Sequence, residues 1–192
     1  MSRLGIYASA NYPRVVNSYE SIQTVTVGSG GTSTISFTSI PSTYTHLQLR
    51  VFSRSDRATT WEGAWVYFNT DTTSSPGSGN YTRHLIDGDG TSATASASTP
   101  TQGGTVPTDT PGANTTASVF GAGIVDILDY ANTNKYTTSR LLTGFDANGS
   151  GNVRFISGLW RNTAAVNAIT LNTQGGGNFT QYSSFALYGI KG

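Results

Sequence analysis

The chain has 192 residues, among them 30 Thr, 23 Ser, 23 Gly and 13 Asn, with no Cys and only 11% charged residues. That is about one domain's worth of chain, poor in helix formers and rich in β-branched and turn residues, which argues against helical bundles and repeated βαβ units. The missing cysteines exclude disulfides and thiolate chemistry. A net charge of +1 offers no basic field for nucleic acid or an anionic membrane, and no apolar run approaches the roughly 20 residues of a membrane span.

Residues 1–20 predict an extended arm. Its apolar and aromatic side chains follow neither a helical nor a strand period, and Pro13 interrupts any helix. Tyr7, Tyr12, Val15, Val16 and Tyr19 are its candidate partner contacts. Residues 21–192 predict one β-sandwich domain. Val25 and Val27 share a face in 21–27, and after a Gly-Ser-Gly-Gly turn Ile35 and Phe37 share one in 32–38. Strands are further predicted at 45–53, 63–69 and 81–87.

Residues 91–118 break the pattern. This stretch holds Val106 and no other large apolar residue, so it predicts a long Ser/Thr/Gly/Pro-rich loop. Strand patterning resumes at 119–128, 137–145, 153–160, 166–172 and 184–190. Leu49, Phe68, Ile127, Phe155, Ile169 and Leu187 are the expected core, each from a different strand. The fold class expected is an all-β, antiparallel, jelly-roll-like sandwich.

The chemistry on offer is thin. His46 and His84 have no nucleophile-elbow motif to serve, and Asp87-Gly88-Asp89-Gly90 reads first as turn chemistry. No catalytic residue and no cofactor is expected. Asp146, Asn148 and Ser150 present oxygen side chains at positions 1, 3 and 5 of a run with Gly151 at position 6, like the opening of a calcium loop. Position 12 is Ser157 rather than Glu, and the flanks are strand-like, so an ordinary hairpin turn competes for the same residues. Trp61, Trp65 and Trp160 suit core filling, a subunit contact or stacking on a sugar.

Several runs resemble segments of small virion structural proteins of tailed bacteriophages. They are Val125-Asp126-Ile127-Leu128-Asp129-Tyr130-Ala131-Asn132-Thr133-Asn134-Lys135-Tyr136, Ile156-Ser157-Gly158-Leu159-Trp160-Arg161, the ending Phe185-Ala186-Leu187-Tyr188-Gly189-Ile190-Lys191-Gly192, and Ile40-Pro41-Ser42-Thr43-Tyr44-Thr45-His46-Leu47. The resemblance covers roughly residues 35–90 and 119–192 and stops at 91–118. It implies a virion location and a capsid decoration (cement) role, with the major capsid protein or other virion proteins as partners and a homo-oligomer, a trimer by preference. A tail- or fibre-associated module that recognises host glycan is the alternative.

Overall fold

The computed structural model describes residues 18–72, 79–98 and 107–192. Twelve strands form among them: β1 (Tyr19–Thr26), β2 (Thr34–Phe37), β3 (His46–Ser53), β4 (Trp61–Phe68), β5 (Tyr81–Gly88), β6 (Ala93–Ser98), β7 (Pro107–Pro111), β8 (Gly121–Leu128), β9 (Thr137–Asp146), β10 (Gly151–Trp160), β11 (Ile169–Thr173) and β12 (Ser184–Ile190). No helix occurs among the described residues. Every pairing is antiparallel. Eight strands make one sheet, in the order β1-β12-β3-β8-β9-β10-β5-β6, and four make the other, β2-β11-β4-β7. The chain is an all-β sandwich.

The core lies between the sheets. Leu187, Leu49, Val125, Leu141 and Ile156 form one buried row across the large sheet. Ile35, Leu171 and Val66 form a buried row in the small one. Aromatic contacts tie the sheets together. Phe68 of β4 meets Trp160 of β10 edge-on with ring centroids 5.7 Å apart, and Tyr67 meets Tyr81 at 6.1 Å. Trp160 and Tyr81 keep their polar atoms satisfied: Trp160 Nε1 donates to Asp71 Oδ2 at 2.7 Å, and the Tyr81 hydroxyl accepts from the Phe68 N–H at 2.9 Å.

All ten strands read from sequence are present, and two further strands lie where a loop is expected. β6 and β7 both fall within 91–118. β7 is the larger correction, because Thr108, Asp109 and Thr110 are buried without apolar side chains to drive it. Hydrogen bonds of Asp109 and Thr110 offset part of that burial, while Thr108 Oγ1 has no hydrogen-bond partner. The Asp109 N–H donates to Thr143 Oγ1 at 2.9 Å, Thr110 Oγ1 and Ser53 Oγ share a bond at 2.9 Å, and Asp109 Oδ1 accepts from Arg154 at 2.7 Å. Gly121 completes the fit: a methyl group there would overlap the Asp109 carbonyl oxygen. β7 thus lies close on the β8 backbone at Gly121 and is fastened by polar side chains rather than apolar ones.

Two more expectations change. Phe155 is 47% exposed, whereas Leu49, Phe68, Ile127, Ile169 and Leu187 are fully buried. The β9–β10 register sets Phe155 opposite Leu142 and Ile156 opposite Leu141. Both strands are therefore apolar on both faces, and periodicity alone gave no reason to prefer Ile156 for the interior. The expected arm also ends earlier than residue 20. Tyr19 opens β1, pairs with Ile190 and stays exposed. Tyr7, Tyr12, Val15 and Val16 lie outside the described residues.

Candidate functional site

The large sheet has one face on the core and one face outward. Its outward residues fall into cross-strand rows fixed by the pairing. One row runs Thr24, Ala186, Arg50, Ile124, Leu142, Phe155, Ile86, Ala95. The next runs Thr26, Ser184, Phe52, Ala122, Gly144, Val153, Gly88, Ala93. Phe52, Ile124, Leu142, Val153, Phe155 and Ile86 are between 42% and 58% exposed. Contiguous exposed apolar residues on this scale mark interaction surfaces more often than scattered ones do.

The face has relief. Ala122 and Gly144 carry little or no side chain between Phe52 and Val153, leaving an apolar trough of about 650 Å³. A second hollow, of about 500 Å³, lies among Ile86, Ala95, Phe155 and His84. Phe52 is held upright by Phe120, whose ring stacks on it at 4.8 Å. The third row borders this patch with polar groups: Ser21, Tyr188, Gln48, Asp126, Arg140, Ser157 and His84. Gln48 Nε2 donates to Asp126 Oδ1 at 2.9 Å, and Arg140 Nη1 donates to Ser157 Oγ at 3.0 Å.

Of the histidines and carboxylates read from sequence, His46 and Asp129 meet, with Nδ1 3.4 Å from Oδ1, and His84, Asp87 and Asp89 do not join them. His84 sits exposed in the polar row, and His46 accepts the Asp129 N–H on Nδ1 at 2.9 Å at the other end of β3. Asp129 also binds Lys135, which holds its carboxyl below the usual range. Asp89 caps its own turn, accepting the N–H groups of Thr91 and Ser92 at 2.8 Å each, and these bonds lower its carboxyl strongly. Asp87 bonds Thr94 and lies 3.3 Å from Arg154.

Asp146, Asn148 and Ser150 surround the hairpin turn between β9 and β10. Asn148 and Gly149 have φ of 63° and 101°, the paired positive values of a type I′ turn. Ala147 N–H donates to the Ser150 carbonyl at 2.7 Å, and Asp146 Oδ1 accepts the Asn148 N–H at 2.8 Å. The Asp146 carboxylate is thus engaged by its own turn. Among the described residues no three His, Cys, Asp or Glu side chains group as metal ligands.

The tryptophans divide by place. Trp160 and Trp65 are buried, Trp65 beneath the Arg83 guanidinium at 4.5 Å. Trp61 is 38% exposed, with Arg154 at 4.9 Å from its ring.

Sequence reading missed the apolar face. A signal existed in 119–128, 137–145 and 153–160, where large apolar residues occupy both parities of the strand. A strand apolar on both sides is one that buries both sides. No family model, curated protein or solved structure matches the chain.

Proposed function

We propose that this chain is a non-enzymatic structural protein of a tailed-phage virion, a decoration (cement) protein that binds the assembled capsid lattice. The observation that carries a structural rather than a catalytic role is the apolar outer face of the large sheet, a surface suited to contact between protein subunits. The side chains able to do chemistry are scattered, most of them engaged in turns, at strand ends or around Arg154, whereas this face is broad and unpartnered among the described residues. The virion assignment is supported by the resemblance at 35–90 and 119–192. The chain crosses between the sheets at β2–β3–β4–β5, β6–β7–β8 and β10–β11–β12, while β5–β6 and β8–β9–β10 stay within the large sheet; the crossings support a jelly-roll winding.

The mechanism is thermodynamic. A protein that binds only the assembled lattice stabilises it by mass action. Weak self-repulsion at a net charge of +1 suits display in many copies. Residues 1–17, with Leu4, Ile6, Tyr7, Tyr12, Val15 and Val16, supply apolar groups for a clamp on neighbouring capsid subunits.

The test is stoichiometry on purified virions. The expected band intensity is comparable to that of the major capsid protein. A few copies per particle would replace the decoration role with a tail- or fibre-associated receptor-binding one, and absence from particles would overturn the virion assignment.

A further inference from the structure

We infer that the outer face of the large sheet is occupied by the same face of a second copy, packed about a two-fold axis that runs along the strands between β8 and β9. This rests on taking that face as a contact surface between protein subunits, and it names the subunit as a second copy, so the capsid lattice is met by another part of the chain.

The strand order places this axis at the middle of the sheet. Four strands (β1, β12, β3, β8) lie on one side and four (β9, β10, β5, β6) on the other. Rotation about it sets β8 on the partner's β9, β3 on its β10 and β12 on its β5, so one whole face covers the other. Seven strand spacings of about 4.8 Å by six residues of about 3.4 Å make a face on the order of 700 Å². A stable dimer buries about 800 Å² per partner. The apolar rows alone are smaller than that, and a peptide would cover them only in part. A second copy brings a face of matching dimensions.

The charges give the second argument. Asp126 on β8 and Arg140 on β9 are register neighbours in the polar row, with opposite signs. Among the described residues neither forms an ion pair within its own chain; Asp126 bonds Gln48 and Arg140 bonds Ser157. The proposed axis runs between them. It sets Asp126 against the partner's Arg140 and Arg140 against the partner's Asp126, the self-complementarity an isologous contact requires. The same operation sets Ile124 on the partner's Leu142, Phe52 on the partner's Val153 and the Arg50 position opposite the partner's Phe155. Aligned sheets pack face to face in this manner about 10 Å apart.

The test uses the full chain in sedimentation equilibrium at several concentrations and salt levels. The expected species is a dimer of the 20.2 kDa chain. Leu142→Glu, at an exposed position, should yield a folded monomer with an unchanged circular-dichroism spectrum. Asp126→Arg and Arg140→Asp should each weaken the dimer about tenfold, and combining them should restore it. A monomer at 100 µM overturns the inference, as does a trimer, or a dimer that Leu142→Glu leaves intact. Oligomeric state and virion stoichiometry are separate readouts. A dimer broken by Leu142→Glu in a protein absent from particles sinks the virion role and leaves the two-fold contact standing. A monomer abundant on particles does the reverse.

Discussion

Arg154 of β10 donates from Nη1 to Asp109 Oδ1 of β7 at 2.7 Å, joining the large sheet to the edge strand of the small one. Both side chains are buried. Asp87 lies 3.3 Å from Arg154 Nη2, and the Trp61 ring lies 4.9 Å from the guanidinium carbon. Asp109 Oδ2 and Arg154 Nε have no hydrogen-bond partner. Loss of water pushes the Asp109 carboxyl up to about 6; Arg154 opposes the shift and Asp87 adds to it.

This arrangement makes stability depend on pH in a defined direction. A carboxyl whose folded pKa exceeds its unfolded one contributes most when neutral. Asp109's contribution is therefore full below about pH 4 and lost as pH rises through about 6. Asp109→Asn is uncharged throughout. Relative to the native protein, its stability should rise by on the order of 2–3 kcal/mol between pH 4 and pH 7.5. Urea unfolding at both pH values measures this, and a flat or falling difference contradicts it.

Gly121→Ala should destabilise the fold by about 1–3 kcal/mol, because the new methyl overlaps the Asp109 carbonyl and lifts β7 from β8. Gly123→Ala should cost less. Its methyl would meet Thr143 Oγ1 at 3.2 Å, a contact that a few tenths of an ångström relieve, against outright overlap with the Asp109 carbonyl oxygen at Gly121. Thermal unfolding of both variants gives the order. Equal losses would mean that β7 does not rest on the β8 backbone.

Phe155 and Ile156 are neighbours with opposite surroundings. Ile156→Ala should cost about 2–5 kcal/mol, since Ile156 is fully buried. Phe155→Ala, measured at dilutions where the chain is monomeric, should change stability by about 0.5 kcal/mol or less. Comparable losses in the two variants would place Phe155 in the core after all.

Deletion of residues 1–17 should leave a folded sandwich, since β1 begins at Tyr19 and its pairing with β12 is complete from there. The truncated protein should fail to incorporate stably into particles. Co-sedimentation with capsids lacking the protein checks this, and undiminished binding would remove the clamp role from these residues.

The sequence by itself determined the all-β class and ten of the strands. Alternation such as Leu47, Leu49 and Val51 against His46, Gln48 and Arg50 states which side of a strand avoids water, and turns such as Asn148-Gly149 state where it reverses. Three things were decided only in the tertiary structure. β7 has no hydrophobic signature, because Asp109 and Thr110 are held by hydrogen bonds to Ser53, Thr143 and Arg154, far away in sequence. The inward choice of Ile156 over Phe155 follows from pairing register, which apolar residues on both faces leave open. The apolar outer face exists only once β3, β8, β9, β10 and β5 lie side by side, for each strand contributes just one or two of its residues and none of them is a patch alone.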